Sequence, residues 1–233
     1  MQKLLIRHNL DVMHVEKNVC ESIFGTLLDI KGKSKYGKKS RDDLQKMGLR
    51  KSLWPEVKGQ KIFLPPAPHT LSNKEKQTLC HVLFMLKVSD GYSSNPKNHI
   101  SMEELKFHGM KAHDCHVLMQ KHLPVALRHV LPIVVRKTLY KIFYFYRQIC
   151  AKSVSIESLD KMENDIVETL CFLEKYFTPS FFDIMLHLNV HLVRELRYCV
   201  PVAYRWIYPF ERYVKLYFLS STTNIFLKDF DIT

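Results

Sequence analysis

The feature that most constrains this chain is a three-and-four-residue apolar spacing that returns in segment after segment. No stretch of useful length alternates strictly between apolar and polar residues. Val12, Val15, Val19, Ile23 and Leu27 fall on one face of a helix read from about Asp11 to Asp29. Ser72 with Glu75 spells a capping box, opening a helix with Leu79, Val82, Leu83 and Leu86 inside. From Ser101 onward the spacing predicts helix after helix: Ser101–Phe107, about Lys111–Leu131 with a bend at Pro124, Pro132–Cys150, Ser158–Phe177 and Pro179–Tyr198. Thr178 and Pro179 read as N-cap and first helical residue of the last of these. A final helix is read from Pro209 through Phe218, after a short extended piece around Val200–Ile207. The fold class is mostly α.

Polar stretches separate the helices. Lys31–Arg41 has no apolar period and two glycines and reads as a mobile loop. Ser40 with Asp43 spells a second capping box, with Gly48 as the stop of a short helix. Leu64–His69 holds three prolines and reads as a stiff connector; Asp90–His99 reads as a loop.

Composition bounds the function classes. With 46% hydrophobic residues over 233 positions, the chain can bury a real core and is not disordered throughout. The most apolar stretches are interrupted by Arg, Lys, Asp or His before reaching the roughly 20 residues of a membrane span. No signal-peptide pattern opens the chain, and six scattered cysteines with no C-x-x-C pair predict a reduced, intracellular protein whose cysteines are small core residues. The net charge is +12, and eleven basic against three acidic residues between Lys31 and Lys61 place +8 of it in one stretch. Such a segment, with Tyr36 and Trp54 interleaved, suits contact with a polyanion, although a solvated Lys-rich loop has the same composition.

Four groups of residues carry possible chemistry. Asp183, His187, His191 and Glu195 recur every four residues and form one polar stripe on an otherwise apolar helix. Imidazoles so spaced can point at one Zn²⁺, while Leu188 stands where a zinc protease would have its general base; a solvated stripe is the plain alternative. His108 and the run His113-Asp114-Cys115-His116 form a second group, in which His113 with His116 could share a ligand. A protease pair from Cys115 and a histidine lacks an orienting partner, so structural hydrogen bonding is the default. Asp11, His14 and Asn18 share a helical face and can position one another without catalysing anything. Glu211, just inside a helix begun by Pro209, is explained by the macrodipole alone.

The motifs LLIRHNLDVMHVEKNVCESIFGTLLDIKGK, SDGYSS, FHGMKAHDCHVLMQKHLPVALRHVLP, PSFFDIMLHLNVHLVREL and PVAYRWIYPFERY occur in that order. Together they resemble the C-terminal part of plant En/Spm (CACTA) transposon transposases, from Leu4 to about Lys215. The resemblance implies a multi-helix domain like the helical insertion and C-terminal part of a DDE, RNase H-like transposase. It divides the chain into the end of a transposase-like region (1–30), a basic Pro-containing linker (31–71), a helical transposase-associated domain (72–220) and a divergent tail (221–233).

The family cuts DNA with two Asp and one Glu around divalent ions, usually Mg²⁺, and carries a zinc site built from a C-x-x-C and a His pair. Carried over, His187 and His191 resemble that His pair, and Glu211 resembles the third catalytic acid. Both aspartates and the C-x-x-C of the family lie upstream of the LLIRHNLD motif. The chain is therefore expected to be a truncated or domesticated fragment, not an enzyme and without bound Mg²⁺ or Zn²⁺ of its own. Weak, salt-sensitive DNA contact is expected through Lys31, Lys33, Lys35, Lys38, Lys39 and Arg41. The other partners expected are a full-length transposase or host protein, with no membrane and no small-molecule substrate, and the location would be the nucleus. The alternatives are a helical protein–protein interaction module and an independent zinc hydrolase using His187, His191 and Glu195.

Overall fold

The computed structural model describes residues 9–88, 94–199 and 201–206. Helix α1 (Val12–Leu27) is capped by Asp11, whose carboxylate accepts from the His14 N–H, and its apolar stripe is buried as the spacing predicts. Helices α4 (Ala112–Val117) and α8 (Ile184–Tyr198) pack on it, α6 (Ile133–Ile149) and α7 (Ile156–Tyr176) pack on each other and on α8, and their inner faces merge into one hydrophobic core. Helix α3 (Asn73–Phe84) carries the predicted capping box: Ser72 Oγ accepts from Glu75 N–H, and the Glu75 carboxylate accepts from Ser72 N–H at 2.7 Å. Leu79 and Leu83 are fully buried, while Leu86 lies beyond the helix and packs on the core from outside.

The predicted helix Lys111–Leu131 is a chain of short pieces. A π turn (Leu118–His122) links α4 to α5 (Leu123–Ala126), and a 3-10 turn follows (Leu127–His129). Pro124 has no N–H and its ring crowds the carbonyl four residues back, so the wider turn ahead of it supplies the bend.

Several readings need correction. Ser101–Phe107 is not a helix: Ile100–Ser101 (β3) pairs antiparallel with Lys106–Phe107 (β4). Ser101 Oγ accepts from Glu104 N–H at 3.2 Å, Leu105 turns the chain at φ 52°, and Phe107 buries its ring 4.4 Å from that of Phe24. A seven-residue helix has too few internal bonds to compete with that burial and that local hydrogen bond.

The predicted helix Pro179–Tyr198 is divided. Thr178 and Pro179 open only a 3-10 turn (Pro179–Phe181), and Asp183 starts α8 as a second N-cap, accepting from Leu186 N–H at 3.2 Å. Phe181 and Phe177, stacked at 4.3 Å, are both buried, and the break after the turn lets the chain serve both the aromatic stack and α8. Within Val200–Ile207, residues Val202–Tyr204 form a 3-10 turn and not an extended piece. The predicted helix from Pro209 to Phe218 lies outside the described residues, as does most of the SDGYSS motif.

Residues 31–71 carry structure of their own. The segment read as a loop to Arg41 becomes helix α2 (Lys38–Lys46) at Lys38; its N-cap is Gly37, and Ser40, read as a cap, lies within the helix with its hydroxyl donating to the Gly37 carbonyl. Gly48, at φ 66°, ends it where predicted: Leu49 N–H returns to the Leu44 carbonyl and Gly48 N–H to the Gln45 carbonyl. A hairpin of β1 (Glu56–Lys58) and β2 (Lys61–Phe63) turns at Gly59, and Tyr36, Leu44, Leu53 and Ala67 form a small second core.

Four bonds fasten this segment to the α7–α8 junction. Lys35 O accepts from Thr178 Oγ1 and Ser180 Oγ, Arg50 Nη1 donates to Phe177 O, and His69 Nδ1 sits 3.0 Å from Tyr176 O. Among the described residues no helix is long and apolar enough to cross a membrane. Cys20, Cys80, Cys115 and Cys150 are buried free thiols, whereas Cys171 is exposed on α7 and Cys199 is half-buried.

Candidate functional site

Helix α8 presents His187 and His191 one turn apart, and their Nε2 atoms converge to 3.2 Å with the rings edge-on. Two nitrogens bound to one tetrahedral Zn²⁺ at about 2.0–2.1 Å would lie about 3.3–3.4 Å apart. The same distance accommodates one N–H donating to one lone pair. The other two members of the polar stripe point elsewhere. Asp183 caps α8 and pairs with Lys35 Nζ at 3.2 Å. Glu195 accepts from Leu10 N–H at 3.0 Å and lies 3.5 Å from Arg205 Nη1. The set His187, His191 and Glu195 therefore does not assemble as a hydrolase centre, because Glu195 ties the start of the described chain to α8.

The basic segment is divided as well. Lys31, Lys33, Lys38 and Lys39 are exposed, and Lys33 lies 3.7 Å from Glu21. Lys35 is half-buried against Asp183. Arg41 is 2% exposed: its guanidinium lies 3.9 Å from the centre of the Tyr36 ring and donates to the Leu53 carbonyl at 3.3 Å. It belongs to the small core and is not presented to a polyanion, a correction to its reading as a DNA contact. An arginine three residues before the fully buried Leu44 falls on the inward face of a helix that the loop reading did not anticipate. Glu211 lies outside the described residues.

The other two groups act locally. Asp11 serves as N-cap, and Asn18 Nδ2 donates to the His14 carbonyl, so Asp11, His14 and Asn18 make backbone bonds and no common site. Asp114 accepts from Lys111 N–H and Ser94 Oγ and lies 3.4 Å from His99 Nε2. Cys115 is fully buried, and its carbonyl accepts from Cys20 Sγ. His113 and His116 stack at 6.5 Å and do not converge on one point.

His116 instead meets a residue the sequence reading passed over. Its Nδ1 lies 2.8 Å from the Glu16 carboxylate, which is entirely withdrawn from solvent. Gln120 Nε2 lies 3.0 Å from the same Nδ1, 3.5 Å from Glu16 Oε1 and 3.3 Å from the Tyr146 carbonyl. Cys150, at the end of α6, completes the group; burial above all, with the Glu16 charge, pushes its thiol up. The donor atoms of Glu16, His116 and Cys150 lie within 4.8 Å of one another. Trp206 stands edge-on to His116 at 4.9 Å and also lines a cavity of about 220 Å³ with Asn9, Asp11 and Arg205. The signal that could have found this group is Glu16 itself, a charge between Val12, Val15 and Val19 on the apolar face of α1.

The fold is a mostly α, multi-helix domain, and the described site is a pair of imidazoles beside a basic segment. Residues 149–224 match the family model described as Domain of unknown function (DUF4218), a domain often associated with transposon-related proteins. No curated protein and no solved structure matches the chain.

Proposed function

We propose that this chain is the C-terminal part of a CACTA-type DNA transposase, a helical platform that supplies zinc ligands and DNA contacts and does not cleave DNA by itself. The observation that carries the reading is the convergence of His187 and His191 at 3.2 Å on α8, inside the matched span 149–224. A closed zinc site takes four ligands, and Asp183 and Glu195 are engaged elsewhere, so the remaining two ligands come from another segment or chain. Support for DNA contact comes from Lys31, Lys33, Lys38 and Lys39, exposed on a segment fastened beside the start of α8 through Lys35 and Asp183. In this reading the protein works in the nucleus, and Glu211 supplies the third acid of a cutting centre completed by other polypeptide.

The purified chain incubated with transposon-end DNA and Mg²⁺ or Mn²⁺ tests this. Salt-sensitive binding without strand cleavage is the expected result. Metal-dependent cleavage that disappears in Glu211→Gln would overturn the inactive reading.

A second reading, a helical protein–protein interaction module, is favoured by the β1–β2 hairpin, which leaves Val57 78% exposed with Ile62 and Phe63 beside it. Light scattering separates the two: assembly with a transposase or host protein that Val57→Lys abolishes, at unchanged DNA affinity, selects the module.

A further inference from the structure

We propose that Glu16, His116 and Cys150 form a buried binding site for one Zn²⁺ ion, which clamps α1, α4 and the end of α6 together. The argument starts from hydrogen-bond accounting at His116 Nδ1. That nitrogen faces a carboxylate oxygen of Glu16 at 2.8 Å and the amide nitrogen of Gln120 at 3.0 Å. A ring nitrogen either donates or accepts, never both at once. If Nδ1 carries its proton, it donates to Glu16 and its N–H opposes the Gln120 N–H. If it does not, it accepts from Gln120 and its lone pair opposes the Glu16 oxygen. Turning the Gln120 amide over gives no relief, because its oxygen would then face Glu16 Oε1 at 3.5 Å and the Tyr146 carbonyl at 3.3 Å. With Glu16 ionised, each of these arrangements sets two donors or two acceptors against each other around Nδ1 and Gln120, in a place where unsatisfied polar groups are costly.

An ion removes the conflict. Bound to His116 Nδ1, to a Glu16 carboxylate oxygen and to Cys150 Sγ, with a water as the fourth ligand, it takes both lone pairs that oppose each other. Gln120 then donates to Glu16 Oε1 and to the Tyr146 carbonyl, the outer-shell role that orients a ligating carboxylate. Imidazole nitrogen, carboxylate oxygen and thiolate sulfur are together a donor set for Zn²⁺ and not for Mg²⁺ or Ca²⁺, which take oxygen. Cys150 gives its thiol proton to solvent on binding, and no electron moves. The three donors come from three helices distant in sequence, so the ion ties together elements that local structure does not. Trp206 touches His116 and also lines the neighbouring 220 Å³ cavity. This site is separate from the His187–His191 pair and does not depend on it.

The test is Co²⁺ titration of the full chain after chelator treatment, under reducing conditions. The expected result is a sulfur-to-cobalt charge-transfer absorption that saturates at one equivalent and is displaced by Zn²⁺. It should vanish in Cys150→Ser and persist in Cys171→Ser and in the double variant His187→Ala, His191→Ala, since the His pair has no sulfur. Gln120→Leu should weaken Co²⁺ binding about 10- to 100-fold. Absence of the absorption in the parent protein, a reading that needs no variant, would overturn the proposal, as would its survival in Cys150→Ser.

Discussion

The phenol of Tyr146 on α6 donates to Asn189 Oδ1 on α8 at 2.5 Å, and both side chains are fully buried. Asn189 Nδ2 in turn donates to the Leu186 carbonyl at 2.8 Å, so the amide orientation is fixed from its own helix. This bond is the polar bolt between two otherwise apolar helix faces. Replacing Tyr146 by Phe removes the donor and leaves the Asn189 oxygen buried without it. The expected cost is about 1–3 kcal/mol, read as a lower urea midpoint at unchanged slope.

His69 ties residues 31–71 to α7 and should make stability depend on pH. Burial above all holds its imidazole down to about 4 from an ordinary 6.5, against the opposing effect of the Tyr176 carbonyl. The unfolded chain therefore binds the proton more readily than the folded one, and stability is lost as pH falls. The loss begins near pH 6.5, is complete near pH 4, and amounts to about 3 kcal/mol. Urea unfolding across that window checks the sign; in His69→Phe, which keeps the stack on Phe177, the slope with pH should flatten.

Gly25 stands inside α1 where no side chain fits. A Cβ there would come 2.7 Å from the Lys33 carbonyl oxygen, which is backbone and cannot swing aside. Although alanine is the better helix former, Gly25→Ala should destabilise by about 1–3 kcal/mol. Thermal unfolding measures it, and a gain in Tm would contradict the close approach of residues 30–35 to α1.

The basic segment should divide by exposure and not by charge. Removing Lys31, Lys38 or Lys39 should weaken DNA binding evenly across sequences, and each lost phosphate contact should lower the slope of log affinity against log salt by about 0.9. Arg41→Met should leave that slope unchanged and lower the melting temperature, because Arg41 serves Tyr36 and Leu53. Fluorescence anisotropy over a salt series, beside thermal melts, distinguishes the two effects.

Much of the helical content was legible. The α1 stripe, the Ser72–Glu75 box, the Gly48 stop, and the cores of α6 and α7 depend on residues within a few positions of one another, and local spacing reports them well. The hairpin Ile100–Phe107 and the break at Phe182 were not legible, because both are decided by aromatic burial against residues far along the chain: Phe24 for Phe107, Phe177 for Phe181. The same applies to the candidate sites. The four-residue spacing of His187 and His191 brings them together without outside help, whereas Glu16, His116 and Cys150 are brought together from positions 100 and 34 residues apart.

By itself, then, the amino-acid order determined that this protein is built of helices, where most of them begin, and which imidazoles share a turn, since each follows from hydrogen bonds and side-chain contacts between near neighbours. Tertiary packing alone decided that Arg41 is core and not surface, that Asp183 and Glu195 leave the histidine stripe for Lys35 and for Leu10 and Arg205, and that a carboxylate, an imidazole and a thiol share one buried place. The physical reason is burial: which face of an element loses its water depends on every other element that packs against it, and no local window of sequence contains that information.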